Sequence, residues 1–190
     1  MNKSARLNLP NILTLARMVA IPAVVLLLVA DSERSISEDR STVAFFIFVC
    51  AAVTDLFDGF LARKHHMITD LGKLLDPLAD KLLICAAMIM LIPVGRVSAW
   101  IAVIVVAREI GVTALRGLAA TEGVIIAASS LGKWKTLLLN IGVAMLILHY
   151  PTFRLPVHEM GLGVLAAGVV LTALSGLDYF FRFVRELFKH

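Results

Sequence analysis

The chain has 190 residues, 59% of them hydrophobic and only 17% charged, with a formal net charge of +4 and a mean hydropathy of +0.90. That composition excludes an ordinary soluble globular domain, in which about a quarter of the residues are charged. The Lys and Arg residues are scattered between apolar runs rather than clustered with aromatics, which excludes a nucleic-acid surface and reads as membrane topology.

Several apolar runs approach the roughly 20 residues a helix needs to cross a bilayer. The sequence therefore predicts an all-α, polytopic membrane protein, with one domain over 1–190 and no room for a separate soluble one. Leu7 to Ala30 begins as an amphipathic segment at Pro10–Arg17, expected to lie at the interface, and is wholly apolar from Met18. It lacks a small-residue cleavage site, so the expectation is a retained first span and not a signal peptide. Asp31 to Ser41 reads as a polar loop. The second apolar run, Val43 to about Thr54, continues into a charged stretch, Asp55 to Asp80. Leu82–Val94 is the third run and Ser98–Ala107 the fourth, extending into Arg108–Arg116. Leu131–Tyr150 and Val157–Tyr179 are the fifth and sixth.

Six spans with the N-terminus inside place fourteen of the 18 Lys and Arg residues on the inner side. The exceptions are Arg34, Arg40, Arg96 and Arg154. That bias puts both termini and any active surface in the cytoplasm. Trp100 and Trp134 read as interfacial anchors, and Arg17 as either reaching the active pocket or snorkelling. Cys50 and Cys85 lie inside apolar runs and read as small hydrophobes.

The chemistry concentrates between Asp55 and Asp80. Asp55, Asp58 and Ala62 share a helix face at i, i+3, i+7, and Asp76 and Asp80 share one at i, i+4. A short loop through Gly72 would let the two faces oppose each other. Asp76 followed by Pro77 reads as a helix start, with Asp76 as N-cap. Four carboxylates converging near a bilayer repel one another unless cations neutralise them. With no His or Cys among them, hard Mg2+ or Mn2+ is expected rather than zinc. Magnesium keeps waters and bridges to phosphates, so the expected substrate is a phosphate ester or pyrophosphate. Gly59 and Ala62 leave room for it to approach the helix backbone. No Ser, Cys or His is placed with an activating base, which favours direct displacement over a covalent intermediate.

Asp55, Asp58, Gly59, Ala62, Arg63, Gly72, Asp76 and Asp80 meet every fixed position of the pattern D-x2-D-G-x2-A-R-x8-G-x3-D-x3-D. In this the chain resembles the CDP-alcohol phosphotransferase family. Asn8–Thr14 with Arg17, Arg108-Glu109, Leu115-Arg116 and Ala128–Thr136 extend the resemblance to a branch that uses glycerol 3-phosphate. The resemblance implies a six-helix homodimer in a bacterial inner membrane. Such an enzyme transfers the phosphatidyl group of CDP-diacylglycerol to sn-glycerol 3-phosphate and releases CMP. It implies that Asp55, Asp58 and Asp76 ligate two divalent cations, with Asp80 completing the cluster and acting as general base. It also implies that Gly59, Ala62, Arg63 and Gly72 cradle the cytidine nucleotide, and that Asp55 and Asp58 approach its pyrophosphate through metal.

Arg108, Arg116, Lys133 and Lys135 are the candidate clamp for the acceptor phosphate. Two other readings remain open from the residues: the same chemistry with serine, inositol phosphate or phosphatidylglycerol as acceptor, and a divalent-cation transporter. Transporter acids belong near the bilayer midplane, whereas these flank a charged loop at the cytoplasmic end.

Overall fold

The computed structural model describes residues 9–30, 35–65, 70–121, 130–151 and 154–187. Side chains are described within 15–30, 35–54, 78–121, 132–151 and 154–186. Six helices follow one another among the described residues: α1 (Leu9–Leu27), α2 (Glu38–His65), α3 (Asp70–Leu91), α4 (Ala99–Thr121), α5 (Ser130–Leu148) and α6 (Val157–Leu187). The six apolar runs thus fall on six helices. Among the described residues, Val157–Glu186 is long and apolar enough to cross a membrane, and Leu15–Leu27 is a shorter apolar helix.

Helix boundaries depart from the sequence reading in two places. Glu38 and Asp39 occupy the first turn of α2, where carboxylates face the positive end of the helix dipole, so the helix begins inside the expected loop. The second place is the start of α3, which lies at Asp70 and not at Asp76–Pro77. Gly72, Asp76 and Pro77 are all within the helix, so Gly72 is not in the connecting loop and Asp76 is not an N-cap. A proline there removes the bond from its own nitrogen to the carbonyl four residues back. Helices in lipid tolerate that loss because neighbouring helices, side chains and water take up the freed carbonyl.

The helices pack as a closed ring in the order α1, α2, α5, α6, α4, α3, and α3 also touches α2 and α5 across it. At one end the ring is tied by buried polar groups. Gly95, at φ +70, ends α3 in a Schellman turn, with Arg96 N donating to Leu91 O at 3.1 Å and Gly95 N to Ile92 O at 3.0 Å. The turn delivers Arg96 inward, where it is 4% exposed. Its guanidinium donates to Ser41 Oγ at 3.0 Å, Ile147 O at 2.8 Å and Ile36 O at 3.5 Å. It thereby joins α2 and its approach to the last carbonyls of α5, which have no partner inside their own helix. Arg40 does the same for α1, donating to Leu26 O at 3.1 Å and Val29 O at 2.7 Å. Leu28, Ile36, Phe48, Met88, Leu91 and Ile147 form the fully buried centre beside this tie.

Helices α5 and α6 approach at backbone distance. A Cβ on Gly142 would stand 2.8 Å from Leu165 Cα, so only glycine allows this contact. Small residues at such crossings let helix backbones close in lipid, where no hydrophobic force drives association.

Candidate active site

The ends of the helices away from Arg96 surround a cavity of about 590 Å³. α2 contributes apolar Phe48 and Val49, α3 contributes Asp80 and Lys81, and α4 contributes Arg108, Glu109 and Arg116. α5 contributes Lys133, Lys135 and Asn140, and α6 contributes Ser175 and Tyr179. Arg108, Arg116, Lys133 and Lys135, singled out as a phosphate clamp, all line this space together with Asp80.

Asp55, Asp58, Gly59, Ala62 and Arg63 lie on α2, and Gly72 and Asp76 on α3. Their side chains are outside the described residues. The two helices pack directly, and the helical spacing puts Asp55 with Asp58, and Asp76 with Asp80, one turn apart. Four carboxylates on two packed helices would offer the hard-oxygen chemistry that suits Mg2+ or Mn2+.

Within the cavity Arg108, Lys135, Lys81 and Arg116 each have a partner. Arg108 Nη2 donates to Ser175 Oγ at 3.0 Å and its Nη1 to Glu109 Oε1 at 3.1 Å. Lys135, only 5% exposed, donates from Nζ to the same Glu109 oxygen. Lys81 donates to Thr113 Oγ1, and Thr113 in turn donates to Glu109 O at 2.6 Å. The Arg116 guanidinium lies 5.8 Å from the centre of the Tyr179 ring, within cation–π range. Among the described residues, five cations against Asp80 and Glu109 line the cavity, a balance that suits an anion.

Arg17 is not among the described residues that line this cavity, and it does not snorkel. It is 2% exposed, and its Nε donates to Ala51 O at 3.3 Å, one turn before Asp55 on α2. The sequence reading missed Lys81, Asn140, Ser175 and Tyr179. Asn140 carried one available signal, a lone amide inside a long apolar run.

A family model for CDP-alcohol phosphatidyltransferases matches residues 7–174. The chain belongs to that family. It is 39% identical over 183 residues to a Bacillus subtilis protein named CDP-diacylglycerol--glycerol-3-phosphate 3-phosphatidyltransferase, covering 91% of this chain and 93% of the relative. A Mycobacterium tuberculosis protein named probable phosphatidylglycerophosphate synthase is 39% identical over 180 residues, covering 95% and 83%. A Rickettsia bellii protein with the same name as the Bacillus one is 36% identical over 174 residues, covering 91% and 93%. The transferase pattern between Asp55 and Asp80 thus belongs to a chain that matches these relatives almost end to end.

Proposed function

We propose that this chain transfers the phosphatidyl group of CDP-diacylglycerol to sn-glycerol 3-phosphate, giving phosphatidylglycerophosphate and CMP in phospholipid synthesis. The observation that carries the reading is the cation-lined cavity opening directly onto Asp80, in a chain whose relatives are named for this reaction. Asp55, Asp58, Asp76 and Asp80 would hold two Mg2+ or Mn2+ ions, which when bound polarise the phosphorus under attack and stabilise the departing CMP. Gly59, Ala62, Arg63 and Gly72 would seat the cytidine nucleotide.

The chain's own groups supply the remaining steps. Arg108, Arg116, Lys133 and Lys135 hold the acceptor phosphate so that its far hydroxyl faces Asp80. The hydroxyl oxygen forms the new P–O bond, the bond to CMP breaks, and the hydroxyl proton passes to Asp80. Ser175 does not serve as a nucleophile: its Oγ accepts from Arg108 and donates to Thr172 O at 3.1 Å.

In this reading all six helices span a bacterial inner membrane, with both termini and the cavity cytoplasmic. Exposed Leu26 on α1, Val103 on α4 and Leu177 and Phe181 on α6 support it, because large apolar side chains turned outward on several helices suit lipid better than water. Trp100 and Trp134, both exposed, stand near the starts of α4 and α5, at opposite ends of the bundle, where interfacial anchors belong. The homodimer is supported by the family resemblance.

The test is CMP release by the purified chain in detergent with CDP-diacylglycerol and Mg2+. Glycerol 3-phosphate, serine and inositol phosphate are offered in separate reactions. Release with glycerol 3-phosphate alone, abolished by a chelator, is the expected result. Release only with another acceptor would overturn the acceptor assignment, and silence in every reaction from folded protein would overturn the transferase reading.

A further inference from the structure

Lys81 lines the cavity beside Asp80 and has no part in the acceptor clamp described above. A lysine that only anchors a helix at a membrane surface runs its ammonium out to water. Lys81 is instead tied across the cavity wall: its Nζ, from α3, donates to Thr113 Oγ1 on α4. Thr113 uses its own hydroxyl proton on Glu109 O at 2.6 Å, so its oxygen is left to accept from the lysine. An ammonium carries three N–H groups, and Thr113 takes one of them.

Charge sets Lys81 apart from its neighbours. The ion pairs among the described residues join Arg108 and Lys135 to one Glu109 oxygen, and Arg182 to Asp178. Lys81 is in none of them, and its partner is a neutral hydroxyl. Position sets it apart as well. Asp80, Lys81, Glu109 and Thr136 also line a second cavity, of about 20 Å³, so Lys81 stands where the Asp80 wall of the site meets the wall that carries the clamp.

From this placement we infer that Lys81 is a further catalytic residue, whose ammonium donates to a non-bridging oxygen of the phosphoryl group under transfer. The inference rests on the transferase reading above and deepens it. The attacking hydroxyl meets the phosphorus next to Asp80, while the phosphate of the acceptor sits in the clamp, at the other end of the glycerol chain. A cation on the residue after Asp80 is therefore placed for the reacting phosphorus. The charge on the non-bridging oxygens must be met while the new P–O bond forms and the bond to CMP breaks, and a donor already in position lowers that barrier. Lys81 keeps its proton throughout, and the hydroxyl proton goes to Asp80.

The experiment compares Lys81→Met and Lys81→Arg with the native full chain in detergent with Mg2+. Lys81→Met keeps the apolar stem and removes the charge. It is expected to lower kcat by about 10²–10³, the loss that follows removal of one such donor, and to leave KM for glycerol 3-phosphate unchanged. Lys81→Arg, which keeps the charge, should fall between the two. Calorimetry supplies a reading without turnover. CDP retains the phosphoryl group in question and CMP lacks it, so Lys81→Met should weaken CDP binding by about tenfold, one charge-assisted hydrogen bond, and leave CMP binding unchanged. If Lys81→Met does not fold, Thr113→Val removes the tether instead and should lower kcat by about fivefold, one neutral hydrogen bond, again at unchanged KM for glycerol 3-phosphate. A raised KM for glycerol 3-phosphate at native kcat, a lost rate that saturating Mg2+ restores, or equal effects on CDP and CMP would each overturn the inference and leave the transferase reading standing. A folded native chain that releases no CMP with any acceptor overturns both.

Discussion

Lys135 and Glu109 form an ion pair between α5 and α4, with side chains only 6% and 13% exposed. Removing one partner of such a pair leaves an uncompensated charge out of water, which costs about 3–5 kcal/mol. Glu109→Gln should therefore lower stability in detergent melts by about that amount. Glu109→Gln combined with Lys135→Met should cost less than the sum of the two single changes. Additive losses would mean that the two residues are not coupled.

The same lysine is expected to separate the two substrates. Lys135→Ala should raise KM for glycerol 3-phosphate by about tenfold, the value of one charge-assisted hydrogen bond, and change KM for CDP-diacylglycerol much less. Steady-state kinetics with each substrate varied in turn reads the ranking, and the reverse order would remove Lys135 from the acceptor clamp.

The carboxylates should divide by role. Asp80→Asn is expected to keep metal-dependent nucleotide binding while losing turnover by about 10²–10⁴, the usual scale for a general base. Asp58→Asn should weaken metal binding itself, seen as a higher Mg2+ requirement in the CMP assay. Full activity in both variants would sink the site assignment.

Two glycines test the α5–α6 contact. Gly142→Ala places a methyl 2.8 Å from the Leu165 backbone and should destabilise by about 1–3 kcal/mol, as overpacking does. Gly163→Ala, with nothing within 4 Å of its added carbon, should stabilise by about 0.5–1 kcal/mol through helix propensity. Thermal melts that failed to separate the two would show that the close crossing carries no weight.

Beyond the end of α5, burial, the Arg96 charge and the neighbouring His158 push the His149 pKa down to about 4, with Glu159 opposing. Its Nδ1 lies 3.0 Å from His158 Nδ1, a pair that needs one neutral acceptor. The unfolded chain takes up a proton near pH 6.5 and the folded chain only near 4, so stability is present above about 6.5 and is lost as pH falls toward 4. His149→Gln should flatten the melting temperature across that window, and an unchanged slope would place its origin elsewhere.

Much of this arrangement is visible in the residues. The i, i+3 and i, i+4 spacing of the acids survives because α2 and α3 are continuous helices through the signature. The five cations that line the cavity, Lys81, Arg108, Arg116, Lys133 and Lys135, are all among the fourteen basic residues counted as inner-side charges. What the sequence hides depends on tertiary neighbours. Pro77 marks a boundary in local terms but sits inside α3, and Arg17 looks like an interfacial cation yet docks on Ala51. Ser175 and Tyr179 are single polar residues in an apolar helix, and only the approach of Arg108 and Arg116 gives them a role.

The arginine tie at Arg96 also sets where the bundle can yield. Helix ends joined through a buried guanidinium open only by breaking several hydrogen bonds together, whereas the opposite ends surround a solvent-sized volume. The bundle is thus fastened at the end that carries Arg96, and the end that carries the chemistry is the one with room for a substrate.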